Sequence, residues 1–192
     1  MTTTNIKVTN ILFSGVGGQG IILGSDIISL AAMYSGFDAK KSEIHGMSQR
    51  GGSVFSHVRY GNKVYSPVIP EGQADILVAL EEMESLRWLE YVSPKTAVVY
   101  VKYRVLPANI EKYPEGIDAE LRARFAKVVA VDPKELTQKI GNQKYLNVAI
   151  LGVIAEMLEG ITSDAWKSAI TALVPKSTDA ANLAAFEIGK QI

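Results

Sequence analysis

The sequence predicts an α/β protein: a three-layer α/β/α, Rossmann-like mixed sheet whose C-terminal third is helical. Three observations lead there. Residues 11–20, ILFSGVGGQG, join a short apolar run to a glycine-rich turn and then to a helical pattern. Continuous apolar runs at 75–80 and 97–101 have the form of strands covered on both faces. Beyond Asp132-Pro133 the alternation of strand and helix patterns stops and only helical periodicity remains. Residues 1–132 therefore read as the α/β core, and 133–192 as the helical part of the same single domain, 1–192.

The elements follow in order. Residues 1–5 are a polar tail and 8–14 the first strand. A helix over 18–35 carries Ile22, Ile27, Leu30, Ala31 and Tyr34 at helical spacing, with Gly36 placed as a left-handed C-terminal cap. Residues 39–44 form a second strand. HGMSQRGGS at 45–53 is too rich in glycine and polar groups to be regular, and VFSHVRY at 54–60 alternates like a strand. Gly61-Asn62, falling before KVYS, predicts a hairpin there, so that an antiparallel element interrupts the early βαβ pattern. A helix over 82–91 separates the two apolar strands. Residues 107–116 are irregular, 119–125 a short helix and 127–131 the last strand. Helices at 134–140, 145–159, 164–174 and 178–189 follow, punctuated by Gly160, Thr162, Pro175 and Ser177.

Composition removes several functions. Lys plus Arg and Asp plus Glu balance at 20 each, so no overall field favours nucleic acid or an anionic membrane, and any anion site must be local. The absence of cysteine excludes disulfides, a thiol nucleophile and a cysteine-ligated iron–sulfur cluster in this chain. MTTTNIKVTN has no basic n-region or apolar h-region, and no apolar run is long enough to cross a membrane, which gives the expectation of a cytoplasmic protein.

The glycine turn is the first candidate site. Gly15, Gly17 and Gly20 match G-x-G-x-x-G, Gly18 adds a position without Cβ, and the N–H groups of the helix start favour phosphate or carboxylate. The same glycines could also serve only to pack the helix on its strand. In a doubly wound sheet, loops at the carboxyl ends of strands share a crevice, so residues 45–53 would face residues 15–20. Arg50 is the natural cation of that crevice, since a guanidinium grips phosphate bidentately, and Gly51-Gly52 would let backbone approach as well; a solvated surface arginine is the plain alternative. His45 and His57 are too few for a three-ligand metal site, and no metal-ligand spacing accompanies them. His57, inside a strand, reads as a hydrogen-bonded structural histidine; His45, in the loop, is the better candidate. No catalytic triad is defined by the spacing. Glu81, Glu82 and Glu84 start a helix, where they complement its dipole. Asp38 and Glu43 lie at the distance from the fingerprint where a dinucleotide enzyme places its ribose-binding carboxylate.

Taken together, GVGGQG at 15–20 and SEIHGMSQRGGSVFSHVRYG at 42–61 resemble the gamma-type subunit of 2-oxoacid:ferredoxin oxidoreductases. HGMSQRGGSV is most similar to the small beta subunit of indolepyruvate:ferredoxin oxidoreductase; pyruvate and 2-oxoglutarate enzymes carry the same domain. Asn147 with Leu151-Gly152, and NLAAFEIG at 182–189, resemble that domain's helical end. The resemblance implies a division of labour. Partner chains hold thiamine diphosphate and [4Fe-4S] clusters, oxidise and decarboxylate a 2-oxoacid, and pass electrons to ferredoxin; coenzyme A takes the acyl group as co-substrate. The gamma-type chain packs on the catalytic chains in a hetero-oligomer, or a homodimer when isolated, and contributes to the coenzyme A side. Gly17, Gly18, Gln19 and Arg50 are then the coenzyme A contacts, Gly51 and Gly52 their backbone neighbours, and Gly15 and Gly20 complete the turn. No catalytic or metal-binding residue is assigned, and no activity is expected of the chain alone. Two readings stand beside this one: a free-standing NAD(P)-binding oxidoreductase and a purely structural assembly subunit.

Overall fold

The sheet is built outward from β1 (Thr9–Val16), whose inner residues are all buried. The computed structural model describes residues 7–45, 52–107 and 111–192. β2 (Asp38–His45), β3 (Ser53–Gly61), β4 (Ile76–Ala79), β5 (Ala97–Val101) and β6 (Lys127–Val131) complete a six-stranded sheet of order β2-β3-β1-β4-β5-β6. β1, β4, β5 and β6 are parallel, whereas β3 lies antiparallel between β1 and β2. All carboxyl ends except that of β3 therefore point to one edge, and the amino end of β3 lies at that edge too.

Period-two alternation divides the core. Ile11, Phe13, Val99 and Val101 face one layer, formed by α1 (Ile21–Tyr34), α4 (Pro133–Ile140), α5 (Leu146–Ala155), α6 (Ser163–Leu173) and α7 (Asp179–Gly189). Leu12, Leu77, Val98 and Tyr100 face the other, where α3 (Ile117–Arg124) packs beside the short α2 (Glu84–Arg87) and the chain around Ile69 and Ala74. The helical third is thus part of one face of the sandwich and shares a continuous core with β1 and α1.

α5 and α7 approach at backbone contact. A Cβ on Gly152 would lie 2.1 Å from the Phe186 carbonyl oxygen, and one on Gly189 would lie 1.9 Å from that of Ala149. Only hydrogen at both positions lets the helices close to this distance.

Two sequence expectations are corrected. The hairpin does not form at Gly61-Asn62. β3 already pairs with β2 on one side and β1 on the other, so no ladder remains for residues 63–66. The chain instead folds back across the sheet: Arg59 Nη1 donates to the carbonyls of Ser66 (2.9 Å) and Val68 (3.0 Å), and Val64 and Ile69 are buried. The antiparallel partner of β3 is β2. The helix over 82–91 also shrinks to α2 and a 3-10 turn at Leu89–Tyr91, because Glu81, Glu82 and Glu84 are buried and bonded into the sheet edge.

Candidate functional site

The site is organised by the turn between β1 and α1. Gly18 (φ 98°) and Gly20 (φ 81°) are left-handed, a region that disfavours side chains. Gly20 is doubly constrained, since a Cβ there would sit 2.3 Å from Asn147 Nδ2. Gly15 serves packing: its Cβ would meet Ile21 Cδ1 and Gln19 Oε1, each at 2.6 Å. Gln19 holds the turn through both ends of its amide. Oε1 accepts from Val16 N–H at 2.8 Å, and Nε2 donates to the Leu80 carbonyl, just beyond β4, at 3.0 Å. α1 starts at Gly20 without a side-chain cap or an acidic residue in its first turn. Its dipole and its first N–H groups therefore face the carboxyl edge uncompensated, the arrangement an anion would satisfy.

Only the end of the second glycine-rich segment, Gly52 and Ser53, lies among the described residues, and it reaches this turn. Val16 stands opposite Ser53 in the β1–β3 ladder, and Gly17 N–H donates to the Gly52 carbonyl at 3.0 Å. Arg50 and Gly51 lie outside the described residues. His45 is the last residue of β2, opposite Val54, so it ends a strand rather than sitting in the loop.

A cleft of about 570 Å³ opens beside the turn, lined by Gly18, Gln19 and Gly20, by Leu23 of α1, and by Leu80, Val101, Tyr103, Gln143, Lys144, Leu146 and Asn147. Its walls come from the carboxyl ends of β4 and β5 and from the start of α5, the crevice position typical of open α/β sheets. Apolar side chains are also exposed beyond the carboxyl ends of the strands: Ile22 at the start of α1, Ile44 near the end of β2, and Tyr103 and Leu106 after β5.

The carboxylates beyond β4 do more than complement a helix dipole: all three are buried. Glu81 is 1% exposed. Its Oε2 accepts from the N–H groups of Met83 (2.8 Å) and Glu84 (3.0 Å), its Oε1 from Val105 N–H (3.0 Å) and the Tyr113 hydroxyl (2.7 Å). Burial and this carboxylate push the Tyr113 phenol well above its usual range. Glu82 takes Arg104 bidentately at 2.6 and 3.2 Å, and Glu84 takes Arg87 and the Ser53 hydroxyl. Each buried charge is thus neutralised or fully bonded, and the group fixes the floor of the edge beside the glycine turn. The sequence signal, three glutamates directly after an apolar run, was present but is shared by ordinary helix starts.

His57 is structural. It is 1% exposed, its Nδ1 accepts Ile69 N–H at 3.3 Å, and Phe55 and Tyr91 contact it edge-on. Burial, and secondarily Arg59, lower its pKa. The dinucleotide geometry is broken. β3 separates β2 from β1, moving the β2 carboxylates two strand spacings, roughly 10 Å, from the fingerprint strand. Asp38 also lies at the opposite end of β2, accepting from Val64 N–H and paired with Lys40, which together hold its carboxyl below the usual range. Glu43 is paired with Lys41. Among the described residues no helix is long and apolar enough to cross a membrane.

Fold and site together define an α/β domain with a glycine-turn cleft at the carboxyl edge of a mixed sheet, in which an inserted antiparallel strand replaces the dinucleotide arrangement. The chain belongs to the pyruvate ferredoxin/flavodoxin oxidoreductase family, whose model matches residues 10–192. It is 41% identical over 151 residues to the indolepyruvate oxidoreductase subunit IorB of Archaeoglobus fulgidus, covering 76% of this chain and 75% of that one. A keto/oxoacid ferredoxin oxidoreductase gamma subunit from Geobacter sulfurreducens superposes with a TM-score of 0.72 at 24% identity, covering 95% and 96% of the two chains. A 2-oxoglutarate:ferredoxin oxidoreductase from Magnetococcus marinus, solved with 2-oxoglutarate, coenzyme A and succinyl-CoA bound, superposes with a TM-score of 0.74 at 22% identity, over 97% of this chain and 31% of that one. The chain is accordingly a subunit of a 2-oxoacid:ferredoxin oxidoreductase.

Proposed function

We propose that this chain supplies the coenzyme A side of a thiamine diphosphate-dependent 2-oxoacid:ferredoxin oxidoreductase that converts a 2-oxoacid to acyl-CoA. Residues 1–192 act as one cytoplasmic unit packed on catalytic chains that hold thiamine diphosphate and [4Fe-4S] clusters and deliver electrons to ferredoxin. The observation that carries the reading is the Gly17–Gly52 hydrogen bond, which ties the end of the second glycine-rich segment to the turn whose Gly18, Gln19 and Gly20 line the cleft. An anion there meets the uncapped start of α1, and Gly18 leaves open space for its approach. The family membership and the bound coenzyme A of the Magnetococcus marinus enzyme support coenzyme A as that ligand. The exposed apolar residues on the same edge suit a catalytic chain docking over the cleft.

Within this site Gly17, Gly18 and Gly20 shape the cradle, Gly15 and Gln19 brace it, and Arg50, with Gly51 and Gly52 beside it, grips a phosphate. The test is steady-state kinetics of the complete complex with Arg50→Ala and Arg50→Lys. Loss of a charge-assisted contact worth about 1.5–3 kcal/mol raises the coenzyme A KM by roughly ten- to a hundredfold in Arg50→Ala. Arg50→Lys falls between, since it keeps the charge and loses the fork. The oxoacid KM stays near wild type, because the oxoacid reacts in another chain. Unchanged coenzyme A constants in Arg50→Ala would remove Arg50 from the site.

A further inference from the structure

We infer that the 3'-phosphate of coenzyme A is held in a second cleft, beyond β5 and β6, by Lys102 and Lys134. This rests on the coenzyme A reading above and adds a second phosphate site to it.

The second cleft, also of about 570 Å³, shares Tyr103 and Gln143 with the cleft at the glycine turn, so the two adjoin along the carboxyl edge of the sheet. Among the described residues, three cations line it, Lys102, Arg104 and Lys134, and no carboxylate does; the first cleft has one cation, Lys144. Neighbouring parallel strands bring them together. Lys102 directly follows β5, and Lys134 stands in the first turn of α4, just after β6. Lys102 N–H donates to the Val131 carbonyl at 2.9 Å, which fixes the two strand ends side by side.

The same three cations also border a cleft of about 410 Å³ that Glu82, Asp118 and Asp132 line, and each of these carboxylates is already engaged. Glu82 takes Arg104 bidentately, Asp118 takes Arg122 and the Tyr100 hydroxyl, and Asp132 Oδ1 accepts from the N–H groups of Lys134 and Glu135 as the cap of α4. With Arg122 counted, four cations stand against three carboxylates. Lys102 and Lys134 are exposed and form no ion pair among the described residues. A local excess of positive charge therefore sits on a chain whose charges otherwise cancel, and two ammonium groups are left to meet an anion. A phosphate monoester, close to dianionic at neutral pH, is their complement. Coenzyme A carries phosphate at two places on one ribose: the 5'-diphosphate that leads to the pantetheine arm, and the 3'-monoester. Two adjoining anion sites match that pattern. The diphosphate is then left to the glycine turn and Arg50, and the monoester reaches the lysine pair.

The experiment uses the complete complex, with coenzyme A and 3'-dephospho-coenzyme A as acyl acceptors at one fixed ionic strength. In wild type the KM for dephospho-coenzyme A should be about tenfold above that for coenzyme A. Lys102→Gln and Lys134→Gln should each raise the coenzyme A KM about threefold, the size expected of one exposed ion pair, and leave the dephospho-coenzyme A KM unchanged. In the double variant the two KM values should converge. Equal KM values in wild type, or an equal rise for both acceptors in the variants, would overturn the 3'-phosphate site. So would an effect confined to the ferredoxin KM or to assembly of the complex, which would make the lysines a docking surface for an acidic protein. Arg50→Ala separates this failure from that of the parent reading, because both acceptors carry the diphosphate. Silent lysine variants beside an Arg50→Ala that raises both KM values would remove the second site alone; no effect from any of the three would remove both.

Discussion

Gln19 and Leu80 are joined across the carboxyl edge of the sheet: Gln19 Nε2 donates to the Leu80 carbonyl at 3.0 Å, while the same amide's Oε1 accepts from Val16 N–H. One side chain therefore sets the distance between the glycine turn and the end of β4, the two elements that flank the cleft. Gln19→Glu would replace the donor with an oxygen facing a carbonyl. It should cost about 1–3 kcal/mol and lower the Tm by several degrees, with a rise in the coenzyme A KM of the complex. Calorimetric melting of wild type and variant would check it; coincident melts would mean the bond contributes nothing.

Glu81 should be the least replaceable carboxylate of the chain. It accepts from three backbone N–H groups and one phenol, so Glu81→Gln would turn an NH2 toward donors and strand at least one of them in a buried site. A loss of about 2–4 kcal/mol is expected, measured by urea unfolding at neutral pH. Tyr113→Phe removes one of the four donors and the hydroxyl oxygen that Met83 N–H also reaches at 2.7 Å, but leaves that N–H its Glu81 partner, so it should cost about 1 kcal/mol.

The α5–α7 contact predicts that Gly152→Ala and Gly189→Ala are each destabilising by about 3 kcal/mol or more, at the upper end of core overpacking, because the added methyl would meet a carbonyl oxygen rather than a movable side chain. Soluble yield and thermal unfolding would show it. A variant that melted like wild type would mean the two helices can part without loss.

His57 gives a pH dependence whose sign can be worked out. Its pKa is lowered by burial, so the folded chain keeps it neutral while the unfolded chain binds a proton near pH 6.5. The unfolded state then holds more protons, and stability falls as pH drops below about 6.5, by up to about 1.4 kcal/mol per pH unit until the folded pKa is reached. His57→Gln keeps an acceptor for Ile69 N–H and removes the proton. Its stability should vary less than wild type between about pH 6.5 and 5 in urea titrations; identical slopes would assign the acid sensitivity to other groups.

The sequence by itself determined the α/β class, the glycine turn and most element positions. Those signals are local: apolar runs, 3.6-residue periodicity and the Asp132 and Thr162 caps act within a few neighbours, and the last strand, Lys127–Val131, falls where the apolar run placed it. The motif pair at 15–20 and 42–61 also carried the family. Tertiary structure alone decided the rest, because it depends on residues distant in the chain. Whether Gly61-Asn62 makes a hairpin turned on β3 having both ladders occupied, one of them by β1, far earlier in the chain. The same insertion of β3 between β2 and β1 removed Asp38 from the fingerprint, which no spacing along the chain could reveal. Glu81 reads as a helix start until Val105 and Tyr113 arrive over it, and Asn147 reads as one more helical residue until α5 lays it against Gly20. Burial and hydrogen-bond partnership are properties of the assembled core, and they turned ordinary residues into the walls of the site.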